Sequence, residues 1–363
     1  MIVNTMFFVG AAVTALVLTP LAMWVARRAG ALDQPGVRKV HSYPTPRMGG
    51  LAIFGTTIVF LGLALLFIPG TWENGPWASV VVGGLIVYLL GLSDDVNGLG
   101  PKTKLVVQML AALVAVESGL RLEVLALPGG ETIYLGYWSI PLTTLWIVGV
   151  TNAFNLIDGL DGLATGMSLV AVFALFILNA YLDPAVTVLI LVVSGALIGF
   201  MRYNFYPARI FMGDSGSLFV GYLIGCLTVA LMGHSSQPLG FLLPVFAVAI
   251  PVLDTLVIMV RRYLSACWTQ RFHPRALLAV GVMFQPDRGH IHHHLMDCGL
   301  TQRQAVMVLC GLASILAGLG IYAHENDVAT IGTMGVIALT LFLLVRMMVT
   351  RKAMANLEGE ADG

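Results

Sequence analysis

Long uncharged runs constrain this chain more than any other feature. Stretches without Asp, Glu, Lys or Arg cover 2–26, 48–72, 74–93, 162–182, 184–201 and 328–345. Each can supply the roughly 20 helical residues that cross a hydrocarbon core. A transmembrane β-barrel would instead alternate in segments of about ten residues. Soluble domains carry about 25% charged residues, whereas this chain carries 10%, with a mean hydropathy of +0.89. The expected fold is an all-α integral membrane protein: one polytopic transmembrane domain over 1–350 and a short charged tail over 351–363. The lipid bilayer is then an obligatory partner, and a formal net charge of zero gives no sign of nucleic-acid binding.

Taken in order, the runs and the polar breaks between them predict eleven spans. The first lacks the basic start of a signal peptide and a cleavage site before Arg27-Arg28, so it reads as a retained helix. A loop over 29–47 precedes the second span. The third ends at Asp94-Asp95, and Lys102 and Lys104 open the fourth. The segment 119–138 has Pro128-Gly-Gly flanked by short alternating stretches and predicts a small β-hairpin on the outer side. The uncharged stretch 215–253 is too long for one span and divides at 233–238. The ninth span then carries Asp254 and ends at Arg261-Arg262, followed by a polar loop reaching Arg303. The four cysteines form no CxxC pair, so neither a disulfide framework nor a cysteine metal site is implied.

Charge orients the bundle. With the N-terminus outside and the C-terminus cytoplasmic, all of the 19 Lys and Arg residues except Arg121 fall on the cytoplasmic side, as the positive-inside rule requires. The same orientation gathers Asp94, Asp95, Asp158, Asp161, Asp214 and a histidine cluster at the cytoplasmic face.

The stretch 152–166 holds the densest chemistry: Asn155-Leu-Ile-Asp158-Gly-Leu-Asp161-Gly162. Carboxylates three residues apart share one face of a helical turn, and the glycines let backbone approach a ligand. A solvated turn with a helix-terminal acid is the alternative. Asp214, in Phe211-Met-Gly-Asp214-Ser, either caps the following helix or binds a ligand there, and the two roles are compatible. Phe211 is a core residue or a platform for a base. His290, His292, His293 and His294 suit phosphate binding better than zinc, since adjacent histidines crowd one tetrahedron. Asp254, about 10 Å into its helix by rise, is a functional candidate as a buried membrane acid or a structural partner of another buried group. Carboxylates beside Lys39, His41, Arg47 and Lys104 suit Mg2+ held together with substrate phosphates. Metal-assisted phosphoryl-type transfer fits this inventory best. A transporter would keep its charges near the bilayer midplane, often with internal repeats. A non-catalytic scaffold would leave the acid-rich loops unexplained.

These motifs resemble the polyprenyl-phosphate N-acetylhexosamine-1-phosphate transferase family, in its WecA/TagO branch. The matching stretches are Asp33-Gln-Pro35, Arg38-Lys39-Val-His41, Pro46-Arg47-Met-Gly-Gly50, Gly91-Leu-Ser-Asp-Asp95, 152–166, 204–217, Pro251-Val-Leu-Asp254 and 287–295. The related MraY branch shares the Asp-Asp, Asp-Gly-Leu-Asp-Gly and Phe-Met-Gly-Asp motifs. The resemblance implies a bacterial inner-membrane enzyme, active at the cytoplasmic face, that begins a cell-surface glycan. It would transfer a sugar-1-phosphate from a UDP-sugar (UDP-GlcNAc) to undecaprenyl phosphate and release UMP. A phospho-MurNAc-pentapeptide transferase is the alternative. Mg2+ would be the cofactor, with Mn2+ able to substitute, and a homodimer is the assembly to test. By similarity, Asp214 would bind Mg2+ with Asp158, and Asp94 or Asp95 would activate the lipid phosphate. Asp161 and Phe211 would contact uracil, with Asn155 and Asn204 nearby. Asp158, His290, His292 and His293 would serve the diphosphate and sugar, with Lys39, His41, Arg47, Lys104 and Asp254 on the substrate side.

Overall fold

Among the described residues the uncharged runs fold as helices. The computed structural model describes residues 2–35, 43–68, 70, 72, 75–127, 131–179, 183–234, 240–269, 289–324 and scattered positions from 332 to 347. Lys39, His41, most of the eleventh expected span and the tail 351–363 lie outside the described residues.

Helix α1 (Ile2–Ala29) leads through two short antiparallel strands, β1 (Leu32–Asp33) and β2 (Thr45–Pro46), into α2 (Gly50–Phe67). Then follow α3 (Trp77–Asn97) and α4 (Pro101–Glu117). The hairpin expected at 119–138 forms, with β3 (Val124–Ala126) paired antiparallel to β4 (Thr132–Tyr134). Beyond it come α5 (Ser139–Leu156), α6 (Leu163–Leu178), α7 (Pro184–Asn204) and α8 (Gly213–His234). Asp183 caps α7 by accepting from the Ala185 and Val186 N–H groups at 2.7 and 3.3 Å, and Pro184 at the first helical position loses no bond.

Six described helices are long and apolar enough to cross a membrane: α1, α2, α3, α7, α8 and Gln302–Tyr322 of the last helix. The chain is a multi-pass membrane protein. The expected ninth span proves to be two pieces, α9 (Leu243–Ala247) and α10 (Ala249–Thr269). Pro251 has no N–H to give the Ala247 carbonyl, so the ladder breaks there. Nor does α10 stop at Arg261-Arg262, because long cationic side chains can follow a helix toward water without ending it. The expected polar loop up to Arg303 contains a short helix, α11 (Ile291–Asp297), and α12 (Gln302–His324) already starts before it ends.

Helix α8 is the axis of the bundle, with Leu218, Val220, Ile224, Cys226 and Leu227 fully buried. Lipid does not drive apolar helices together, so close packing and small residues must do it. Gly195 and Gly199 of α7 lie directly on the α1 backbone at Phe8 and Ala12. Several polar groups inside the bundle are paired across helices. Trp146 donates its indole N–H to Thr228 at 2.8 Å, and Asn152 donates to Gln108 at 2.5 Å.

Candidate active site

The ends of α3, α5 and α7 meet the starts of α4, α6 and α8 around one cavity. Its volume is about 320 Å3, and its walls include Asp33, Arg47, Asp95, Asp158, Asp161 and Asp214. Asn204, Phe211, His293 and Gln302 complete the polar and aromatic lining.

The start of α8 is the fixed point. Gly213 takes a left-handed φ of 71° to turn the chain into the helix, a conformation that costs other residues more. Opposite it, Gly91 of α3 lies against the backbone of Asp214 and Ser215 with no room for a side chain. That contact brings Asp95 over the first turn of α8. Asp95 accepts the Asp214 N–H at 2.9 Å, the Ser215 N–H at 3.1 Å and the Ser215 hydroxyl at 2.6 Å. The first N–H groups of a helix have no partners of their own and carry its positive dipole end. Asp95 therefore caps α8 from another helix.

Its neighbour Asp94 does different work. One oxygen accepts the Leu99 N–H at 2.6 Å, and the other accepts from Lys104 at 3.0 Å. The same Lys104 ammonium donates to Asp214 at 2.5 Å. The two carboxylates thus share a cation between α3 and α8. Arg47, following β2, donates to the Asp94 carbonyl at 3.1 Å and lies 3.5 Å from Asp95 and 3.9 Å from Asp33.

The turn between α5 and α6 supplies the facing wall. Asp161 accepts the Ala208 N–H at 2.8 Å, holding the chain after α7 against this turn. Asp158 keeps part of its side chain on the cavity. Burial, reinforced by Asp214, Asp95 and Asp161, pushes its pKa up to about 8, because removing a carboxylate from water and adding like charges both disfavour ionisation. Asn204 lines the cavity yet is committed to structure, accepting from Thr165 at 2.6 Å and donating to the Ile210 carbonyl at 3.0 Å. Asn155 donates to Ser217 of α8 at 2.9 Å and does not line the cavity.

The histidines divide. His290 Nδ1 lies 2.8 Å from Asp254, which also accepts the Ile291 N–H at 3.2 Å. Asp254 is 1% exposed and holds the start of α11 rather than lining the cavity. His292 is buried against Gly159 of the α5–α6 turn. Burial, with His293 and His290 adding to it, lowers its pKa to about 3, so its imidazole is neutral. His293 alone of the three reaches the cavity. Asp33 and Gln302 line the cavity without having been singled out as site residues. Asp33 stood in a matching motif, whereas no motif marks Gln302.

The sequence profile of glycosyl transferase family 4 matches residues 77–232. Three relatives give the scale of similarity. A probable undecaprenyl-phosphate N-acetylglucosaminyl 1-phosphate transferase of Bacillus subtilis is 38% identical over 304 residues, 83% of this chain and 80% of that protein. The decaprenyl-phosphate N-acetylglucosaminephosphotransferase of Mycobacterium tuberculosis is 34% identical, covering 88% and 83% of the two chains. The undecaprenyl-phosphate alpha-N-acetylglucosaminyl 1-phosphate transferase of Escherichia coli is 28% identical, covering 88% and 84%.

Proposed function

The chain belongs to glycosyl transferase family 4, and from that membership we propose that it transfers N-acetylglucosamine-1-phosphate from UDP-N-acetylglucosamine to undecaprenyl phosphate. The observation that carries the reading is the cavity at the helix ends, where Asp158, Asp161 and Asp214 face Arg47 and His293. The relatives' names specify N-acetylglucosamine and a polyprenyl phosphate, which favours that sugar over phospho-MurNAc-pentapeptide.

An oxygen of the lipid phosphate attacks the β-phosphorus of the nucleotide sugar. The new P–O bond forms as the bond to the bridging oxygen breaks, and the electron pair leaves with UMP. The acceptor phosphate is already ionised at neutral pH, so direct displacement needs little general-base help. The protein's main contribution is positioning and charge compensation. Arg47 and His293 would meet phosphate oxygens, and Phe211 and Asp161 the uracil.

The donor set suits Mg2+. Asp94 and Asp214 already share the Lys104 ammonium as a stand-in cation, and oxygen ligands together with substrate phosphates are what this ion prefers. Asp214 and Asp158 would hold it, and it would supply neutralisation of the diphosphate charge. The basic residues of the connecting loops support a cytoplasmic opening in a bacterial inner membrane.

The test is direct. Purified protein is given Mg2+, undecaprenyl phosphate and each member of a radiolabelled UDP-sugar panel. Labelled lipid and UMP from UDP-N-acetylglucosamine are expected. Formation of labelled lipid only from UDP-MurNAc-pentapeptide, or from no nucleotide sugar at all, refutes the reading.

A further inference from the structure

A second concave region lies on the outside of the bundle, away from the carboxylates. Two adjoining hollows of about 710 and 560 Å3 share Leu169 and Ile198 and so form one groove between α6 and α7. Its upper part is walled by Phe8 of α1, Phe173 of α6, Leu191 of α7 and Ile321 of α12. Only the hydroxyls of Ser194 and Ser314 interrupt that apolar wall. Its lower end is different in kind, carrying Arg202, Tyr206 and Arg209. Both arginines are exposed. Among the described residues neither makes an ion pair, and the Arg202 guanidinium rests 6.0 Å from the Tyr203 ring.

We propose that this groove binds an anionic glycerophospholipid from the leaflet on the cavity's side of the membrane, with its phosphate held by Arg202 and Arg209. Three observations commit it to that occupant. The first is length. Leu191 and Arg202 are eleven residues apart on α7, about 16 Å of helix, which matches half of a hydrocarbon core about 30 Å thick. A single acyl leaflet fits; a polyprenyl chain is several times longer. The second is charge. Two exposed guanidinium groups at headgroup level favour phosphate, which arginine can bind bidentately, while Tyr206, 47% exposed, sits where aromatic rings mark the interface. The third is separation. No residue lines both this groove and the carboxylate cavity, although Asn204 and Phe205 are adjacent on the chain and face one each. On the proposed function, the acceptor phosphate must enter the carboxylate cavity, so the groove's lipid is not the acceptor.

Native mass spectrometry of the full chain in detergent tests this, with dioleoyl-phosphatidylglycerol and dioleoyl-phosphatidylcholine offered in turn. Phosphatidylglycerol should be retained in preference to phosphatidylcholine. A basic residue near a membrane surface attracts an anionic lipid by about 1 kcal/mol, so R202Q/R209Q should weaken phosphatidylglycerol roughly 30-fold and weaken phosphatidylcholine, whose choline offsets the charge of its phosphate, much less. Ser194→Trp, which fills the groove, should remove both lipids. If that variant does not fold, the exposed arginine pair carries the test by itself. Undiminished preference for phosphatidylglycerol in R202Q/R209Q overturns the proposal. So does one-for-one displacement by undecaprenyl phosphate, which would give the groove to the acceptor. Phosphatidylglycerol found on monomers and never on dimers also overturns it, giving the groove to a second copy. The arginine result does not depend on turnover, so failure of the proposed activity would be seen separately.

Discussion

Substituting Asp95 by Asn separates architecture from chemistry at this site. The carboxylate accepts three hydrogen bonds from the first turn of α8, and its side chain is 1% exposed. An amide of the same shape has one acceptor oxygen. Whichever way it turns, its NH2 faces at least one backbone N–H that has no other partner. A buried donor left unsatisfied costs about 1–3 kcal/mol, and losing a negative charge at a helix N-terminus costs about another 0.3–1 kcal/mol. The expected loss is about 1–4 kcal/mol. For a chain of this length that is a fall of roughly 2–5 °C in unfolding temperature, read by thermal unfolding in detergent without substrates. Ser215→Ala removes only the hydroxyl bond and should cost less than half as much. In the double variant the two losses should fall short of adding, because they share a hydrogen bond. Asp95→Asn should also weaken UDP-sugar binding, since it frees the backbone that carries Asp214. An Asp95→Asn protein that unfolds at the wild-type temperature, binds nucleotide normally and yet transfers nothing would refute the capping role and return Asp95 to the chemistry.

Three further outcomes are expected. Asp158, with its pKa pushed up to about 8, holds a proton at neutral pH that a cation bound there must displace. Apparent Mg2+ affinity should therefore fall by up to about tenfold per pH unit below about 8, and Asp158→Asn should flatten that slope; a flat wild-type profile would count against Asp158 as a ligand. Asp254→Ala strips His290 and the Ile291 N–H of their shared acceptor and should cost about 1–3 kcal/mol for each buried donor left unsatisfied. Hydrogen exchange should then rise across 290–297, and unchanged protection there would deny Asp254 its hold on α11. Phe211→Ala should weaken UDP-N-acetylglucosamine roughly 5- to 150-fold by calorimetry without lipid, the equivalent of about 1–3 kcal/mol for a lost stacking contact; equal affinity would remove Phe211 from the base.

The helices were legible because an apolar run of span length has few alternatives in lipid. Where the expectation slipped, the cause was local backbone chemistry that hydropathy does not weigh. Pro251 breaks the ladder inside an uncharged run, and Arg261-Arg262 marks the end of the apolar stretch without ending the helix. The small strands β1 and β2 escaped notice for a similar reason. They are two residues each and are held by contacts from elsewhere, such as the Phe211 N–H donating to the Pro46 carbonyl at 2.8 Å.

The site was legible as a set of residues and illegible as a set of roles. Asp94 and Asp95 are chemically identical and adjacent, so no property of the sequence distinguishes them. On a helix they point about 100° apart, and that rotation decides their work. Asp95 meets the amide groups of α8 and becomes a cap, while Asp94 meets Lys104 and shares its charge with Asp214. The histidine run divides the same way. His290 turns into the bundle to Asp254, His292 packs neutral on Gly159, and His293 faces the cavity. A cluster of ionisable residues at one membrane face therefore signals a site, but only the direction of each side chain separates the residues that could touch a substrate from those that hold them in place. By that criterion Asp33, Arg47, Asp158, Asp161, Phe211, Asp214 and His293 line the cavity, while Asp95, which also reaches its wall, caps α8, and Asp94, Asp254, His290 and His292 hold the elements around it in place.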